Sequence, residues 1–381
     1  MTLRVRPYIR PLNACLGAFV GGTGHNTQFR RGLELTLRCD NELLGLGEAS
    51  PLPQLSDERL EDVELEFAQL KAFEVDLPKR PAECLAWIGK VTEPWQLRCA
   101  SARYAVEGAL VDLLSRHFAI PAAVLVAHGV NADCSDADLL GTEVPNAEVP
   151  HSELEISRLL PNTDQLRLVD LAHVAWARGY RTLKLKLGPV ANFEQDCAKL
   201  EAIRTQLPST VKIRLDPNAS WAVEMVPHLL DRLSQYSPEL VEEPVRGEDL
   251  PQLGRSPVPI AVDESLRQAG LLDRLAPHIE QLNIRSVVIK PALIGLVKSI
   301  ELAKAAKRLG LDVIVTHLFD GPIGHATAVV LAQAVGSRAR AHGLAPHPGL
   351  LLCPERRIVG LGAGQLSIAA QPGLPLVEVP H

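Results

Sequence analysis

The strongest constraint on the fold is a repeat: a short apolar run, a stretch of helical pattern, then another short apolar run. The runs are TLKLKLG (182–188), KIRLD (212–216), LVEEP (240–244), IAVDE (260–264), SVVIKP (286–291) and DVIVTHL (312–318). Their starts lie roughly 25 residues apart, the length of one strand–helix unit. Such alternation predicts a parallel sheet, because a strand rejoins its neighbour in the same direction only through a crossover. Further strands near 155–160 and 340–345 bring the number to eight. Eight units over about 200 residues favour a closed (β/α)8 barrel over an open doubly wound sheet.

The 381 residues exceed what one compact core needs, so the barrel must carry additions. Residues 1–12 and 33–39 alternate apolar and polar and predict antiparallel strands. The glycine-rich stretch between them, GAFVGGTGHNTQFRRG (17–32), reads as a hairpin loop or as a flap that closes over a ligand. Ser56 is placed to cap a helix running through DERLEDVELEFAQLKAF. Residues 98–118 predict an amphipathic helix, and 130–150 are acidic and irregular. The expected division is an α+β capping domain (1–145), an α/β barrel of the modified TIM type (146–350), and a Pro- and Gly-rich segment (351–381) that returns to the cap.

Charges sit where an apolar strand should not hold them. Lys184, Lys186, Asp216, Glu242, Asp263 and Lys290 lie within or at the C-terminal ends of five consecutive strands. Burying them singly would be costly. In a barrel all strand C-termini meet at one face, where active sites form. Asp216, Glu242 and Asp263 would repel one another unless a cation joined them. An all-oxygen set without His or Cys suits Mg²⁺, with Mn²⁺ as a substitute. Asn218, two residues beyond Asp216, either supports that site or closes an Asx turn.

Lys184 and Lys186 point to the same face of one strand. A lysine is protonated near neutral pH. A neighbouring ammonium, a metal ion and partial burial disfavour the charged form and make a base available. Lys290 comes from nearly opposite in the barrel. The set points to abstraction of a proton α to a carboxylate. One lysine takes the proton, and the other either donates from the opposite face or steadies the intermediate by its charge.

Other classes are disfavoured. The net charge is −6, with no basic run or interleaved aromatics for nucleic acid. No apolar run approaches the roughly 18 residues of a membrane span, and MTLRVRPYIRPLN lacks the apolar core of a signal peptide. Seven scattered cysteines without a CxxC pair predict reduced thiols in a cytoplasmic protein. The expected partner is a small-molecule carboxylate. A homo-oligomer stays open.

The order of these motifs resembles the enolase superfamily, in its muconate-lactonizing-enzyme subgroup, over nearly the whole chain. That pattern is K-x-K on the second strand, Asp-x-Asn on the third and Glu, then Glu or Gln, then Pro on the fourth. Asp-Glu-Ser follows on the fifth and Lys on the sixth. GLGEASPLPQLS, IRLDPNASW, VEEPV, VDESLR, VVIKPALIG and LPLVEV are most similar to the o-succinylbenzoate synthase family. The resemblance implies syn-dehydration of 2-succinyl-6-hydroxy-2,4-cyclohexadiene-1-carboxylate, a step of menaquinone biosynthesis. It implies Lys186 as base and then acid, Lys290 as the charge facing the ring, Lys184 as an assistant, and Asp216, Glu242 and Asp263 as the metal ligands. Asn218, Glu264, Thr316, His317 and Asp320 are expected around the substrate.

One stretch departs from that pattern. Where a small Ser-rich segment is expected after the seventh strand, this chain has THLFDGPIGHA (316–326). The rivals on the same scaffold are an N-acylamino-acid racemase or dipeptide epimerase, and a muconate-type cycloisomerase. Dipeptide epimerases carry D-x-D after the eighth strand, whereas this chain reads HGLAPHPGLLL there. A barrel without catalysis, serving only to bind, is disfavoured by the intact set of charges.

Overall fold

A computed structural model describes residues 2–15, 29–39, 43–131, 153–347, 349–350, 353, 356–362, 364–367 and 370–379. Most of the glycine-rich stretch (16–28) and the acidic stretch from 132 to 152 lie outside the described residues.

The chain opens with strands β1 (Thr2–Cys15), β2 (Phe29–Cys39), β3 (Leu44–Ala49) and β4 (Phe73–Asp76), in the antiparallel order β3-β2-β1-β4. Helices α1 (Leu60–Ala68), α2 (Cys84–Thr92), α3 (Ala100–His117) and α4 (Ala122–Val130) complete this layer. Ser56 does not cap α1. Its hydroxyl accepts from Leu52 N at 2.9 Å, closing a turn, and the helix starts at Leu60 behind Arg59, whose N–H is met by Asp62.

Helix α3 is not amphipathic in use. Residues 104–115 are buried on every side, because α3 lies between β3 and the barrel. Its contact with β3 is backbone-close: a Cβ on Gly45 or Gly47 would fall 2.0 Å from Ala109 O or 1.9 Å from Ala105 O. Two acids of α3 are correspondingly occupied. Glu107 accepts from Leu296 N (2.6 Å) and Val297 N (3.0 Å), and Asp112 accepts from Leu46 N (2.9 Å) and Leu374 N (2.7 Å).

After β5 (Glu153–Glu155) come the barrel strands β6 (Arg158–Leu160), β7 (Thr182–Lys186), β8 (Lys212–Asp216), β9 (Leu240–Glu242), β10 (Ile260–Val262), β11 (Ile284–Ile289) and β12 (Asp312–Val315). They form one parallel sheet in sequential order. The helices that follow these strands are α5 (Gln165–Ala177), α6 (Phe193–Gln206), α7 (Val226–Ser234), the short α8 (Leu271–Leu275), α9 (Leu296–Arg308) and α10 (Pro322–Val335). The eighth strand is reduced to parallel bridges Ile156–His342 and Thr316–Gly343. Ser157 N donates to His342 O (2.7 Å) and Gly343 N to Val315 O (2.9 Å), so the ring still closes.

Side-chain alternation fills the ring in layers. Leu240, Ala261, Val288 and Ile314 form one buried interior cluster. Two residues further along each strand stand Glu242, Asp263, Lys290 and Thr316. The C-terminal strands β13 (Arg356–Ile358), β14 (Gln365–Ser367) and β15 (Leu376–Glu378) return over the first layer: β14 pairs with β5, and Arg356 reaches Glu34 of β2 at 2.8 Å. Among the described residues, Cys84, Cys99 and Cys197 are buried free thiols, Cys39 and Cys353 are buried as well, and no helix is long and apolar enough to cross a membrane.

Candidate active site

The barrel brings the strand-end charges together. Asp216, Glu242 and Asp263 are all buried and offer oxygens within 4.8 Å of one another. Lys184 Nζ lies between two of them, 2.7 Å from Asp216 and 2.5 Å from Glu242. Lys290 Nζ lies 2.8 Å from Asp263 and 2.5 Å from Glu264. Lys186 Nζ is 2.5 Å from Asn218 Oδ1 and 3.3 Å from Asp216. Asn218 also sits 3.4 Å from Glu264 through its amide nitrogen, and its N–H donates to Asp216 at 3.0 Å, so it joins both acids to Lys186.

Charge explains how these groups titrate. Burial pulls the Lys184 amine down, but Asp216, Glu242 and Asp263 outweigh it and hold the ammonium well above its ordinary range. The same contest, with Asp263 and Glu264 as the acids, raises Lys290. In both lysines the neighbouring carboxylates outweigh burial, which suits the supporting roles expected of Lys184 and Lys290. Burial would raise Asp216, yet the three lysines hold it well below the usual range. Burial, with Glu264 beside it, pushes Asp263 well above that range against the pull of Lys290.

Asp263 Oδ1 is buried and has no hydrogen-bond partner among the described residues. A buried carboxylate oxygen left in that condition is expensive unless a cation takes it up. The donor set is all oxygen, so Asp216, Glu242 and Asp263 fit a hard divalent ion.

The backbone is bent to make this arrangement. Asn218 (φ 49°), Ala219 (φ 53°), Glu243 (φ 42°) and Phe319 (φ 56°) adopt left-handed conformations just beyond β8, β9 and β12. Strain of this kind collects at functional sites. Glu243 was not singled out from sequence, although it is the second acid of the EEP motif. It accepts from Asp263 N (2.7 Å) and Ser265 N (3.2 Å) and from the Ser265 hydroxyl, so it fixes the Asp263 backbone.

Beside the charges lies a pocket whose lining includes Leu55, Lys186, Lys290, Thr316, His317 and Phe319. His317 is packed in a histidine stack, with ring centroids 4.5 Å from His325 and 5.1 Å from His347. One ring nitrogen of each comes within 4.8 Å of the others. However, His317 Nδ1 accepts from Phe319 N (2.9 Å), and the three Nε2 atoms face the carbonyls of Ala345, Leu344 and Asp320. Each ring of the stack is thus held to a backbone carbonyl through Nε2. Asp320 turns away from the pocket: it is buried, and its carboxylate accepts from Leu318 N at 2.9 Å.

The family described as enolase C-terminal domain-like matches residues 167–375, more than half of the chain. The chain belongs to the enolase superfamily. Within it the chain falls in the muconate-lactonizing-enzyme subgroup, near o-succinylbenzoate synthase. An o-succinylbenzoate synthase of Desulfotalea psychrophila is 26% identical over 276 residues, covering 66% of this chain and 69% of that protein. An L-Ala-D/L-amino acid epimerase of Populus trichocarpa is 31% identical over 245 residues, covering 60% of this chain and 52% of that protein. A dipeptide epimerase of Enterococcus faecalis, solved with Mg and the dipeptide L-Leu-L-Tyr, superposes with a TM-score of 0.75 at 22% identity, covering 99% of both chains. That likeness carries the fold alone. Relatives of two reaction types thus stand at similar distance, and the chain is an enolase-superfamily enzyme whose particular reaction must be argued from the site.

Proposed function

We propose that this enzyme removes the α-proton of a carboxylate substrate with the help of a divalent cation, and that its reaction is the one-base syn-dehydration of the o-succinylbenzoate synthase type. The observation that carries this reading is the inequality of the two lysines flanking the pocket. Lys186 keeps 37% of its side chain exposed and is held by the amide of Asn218, with one carboxylate, Asp216, further off at 3.3 Å, whereas Lys290 keeps 11% and is gripped by two carboxylates at 2.8 and 2.5 Å. A group that must take a proton and return it needs access and freedom. A group that offers only charge does not.

The protein's groups divide the work accordingly. Lys186, as the free amine, takes the α-proton and becomes an ammonium. It then gives that proton to the departing hydroxyl on the same face, which leaves as water while the ring becomes aromatic. Asp216, Glu242 and Asp263 would hold Mg²⁺ or Mn²⁺, which when bound supplies positive charge to the substrate carboxyl group as negative charge develops there. Lys290 adds charge from the far side of the mouth. Lys184 neutralises Asp216 and Glu242 beneath Lys186. With Lys186 as the free amine, four carboxylates, including Glu264, face the ammonium groups of Lys184 and Lys290, so a bound dication cancels the remaining negative charge and lets an anion approach.

A second reading is racemisation of an N-acylamino acid. It is favoured by the opposed placement of Lys186 on β7 and Lys290 just after β11, and by the epimerase relatives. A free α-ammonium is disfavoured for either reading, since the closing segment from His342 to His347 brings no acid to the pocket. The deciding experiment gives the Mg²⁺-loaded enzyme the succinyl-hydroxycyclohexadiene carboxylate, and separately an N-succinylamino acid. Growth of aromatic absorbance with the first and no change of optical rotation with the second supports dehydration. The reverse pattern refutes it.

A further inference from the structure

The GLGEAS stretch at the end of β3 takes no part in the chemistry above, yet its acid is deeply built in. Glu48 is buried and accepts four hydrogen bonds. Three come from backbone N–H groups at the start of α10: Gly321 at 2.5 Å, Ile323 at 3.2 Å and Gly324 at 3.0 Å. The fourth comes from Ser50 Oγ at 3.0 Å, which also lies 3.3 Å from Asp320 Oδ1. From α3, Tyr104 donates to Gly324 O at 2.6 Å. Gly324 has no room for a side chain: a Cβ would stand 2.9 Å from Asp320 Cβ and 3.3 Å from Glu48 Oε1. Two elements of the capping layer thus grip the first turn of a barrel helix.

That first turn ends the loop that walls the pocket. Asp320 holds Leu318 N through its carboxylate, and its carbonyl accepts from His347 Nε2 at 2.7 Å. Thr316, His317, Phe319 and His347 all line the pocket. The metal-site acids, by contrast, stand at the ends of β8 and β9 and just beyond β10, and have no contact with Glu48 in this network.

We propose that Glu48 is a positioning residue for substrate binding: through Gly321 and Asp320 it sets the place of the pocket wall formed by Thr316, His317 and Phe319. This rests on the pocket being the substrate site. The physical ground is that Glu48 is the shared acceptor for three N–H groups of one turn, and no described group replaces it. Weakening the grip lets the 316–321 loop and the histidine stack shift while the carboxylate cluster keeps its geometry. Burial, with Asp320 next, raises the Glu48 carboxyl to about 7, which agrees with a tightly enclosed acceptor.

The test uses the full chain loaded with Mg²⁺ and the variants Glu48→Gln, Glu48→Ala and Asp320→Asn. Three quantities are read: Mg²⁺ affinity by calorimetry, the ¹⁵N-histidine NMR signals, and steady-state kinetics with the succinyl-hydroxycyclohexadiene carboxylate. Glu48→Gln should raise KM about tenfold or more while kcat stays within about threefold, the size of a lost buried hydrogen bond felt in binding. Mg²⁺ affinity should not change, and the signals of His317 and His347 should move. Unchanged histidine signals and KM in a folded Glu48→Gln protein would overturn the proposal. So would a fall in kcat together with Mg²⁺ affinity, the mark of general loss of structure. If the unaltered enzyme does not turn over this substrate, the dehydration reading fails, and the histidine spectra of Glu48→Gln still decide the positioning role.

Discussion

Replacing Glu107 with Gln isolates what it costs to bury an acid where α3 meets the barrel. Glu107 accepts from Leu296 N and Val297 N at the start of α9, and burial, opposed by those two bonds, raises its carboxyl from 4.5 to about 7. A folded-state value above the unfolded one means the folded protein holds this proton more tightly. Its contribution to stability is therefore complete below pH 4.5 and is lost as pH rises through about 7. The difference corresponds to about 3 kcal/mol in all, of which about 2–3 kcal/mol falls between pH 5 and pH 8. Gln cannot ionise and keeps one acceptor oxygen, at a cost of about 1 kcal/mol for the poorer pairing. Glu107→Gln should thus be slightly less stable than the unaltered protein at pH 5 and more stable at pH 8. Urea unfolding of both proteins at the two pH values, followed by circular dichroism, measures the change. A stability difference that stays the same at both pH values would refute the reasoning.

Three further outcomes follow from the structure. Gly47→Ala should destabilise the protein by about 1–3 kcal/mol or more, since its Cβ would lie 1.9 Å from Ala105 O and neither backbone can yield freely; thermal unfolding checks it. Asp216→Asn and Asp263→Asn should each weaken Mg²⁺ binding by calorimetry and remove most turnover, and EDTA should abolish activity, with full activity in metal-free buffer as the contrary result. Lys290→Arg should keep part of the dehydration rate, because Arg preserves the charge but stays protonated, whereas a racemase relying on Lys290 as a base would lose one direction of proton transfer.

The strand-end charges were legible in the sequence because period-two alternation and barrel closure are local rules with a global consequence. Once TLKLKLG, KIRLD and IAVDE are strands of one barrel, Lys184, Lys186, Asp216 and Asp263 must meet. The eighth strand was located only approximately, since a bridge at His342 and Gly343 is too short to show a period. The amphipathic reading of α3 failed because neighbours cover both faces of the helix, and pattern alone does not reveal what lies outside an element. Glu48, Glu107 and Asp112 escaped notice for a related reason. Their partners lie 273, 189 and 262 residues away, and nothing in the local sequence marks an acid as the cap of a distant helix or the acceptor for a distant loop. Ser56 misled in the opposite direction: a good capping residue was spent on the turn before the helix.

The central claim is that Lys186 alone moves the proton, and solvent exchange tests it most directly. The Mg²⁺-loaded enzyme is incubated in D₂O with a slowly dehydrating carboxylate analogue, and deuterium at the α-carbon is followed by NMR for the unaltered protein, Lys186→Ala and Lys290→Arg. The account predicts exchange in the unaltered protein, persistence in Lys290→Arg, and a fall of about 10²–10⁴-fold or more in Lys186→Ala, the usual contribution of a general base. Exchange that survives in Lys186→Ala and disappears in Lys290→Arg would contradict it and make Lys290 the base.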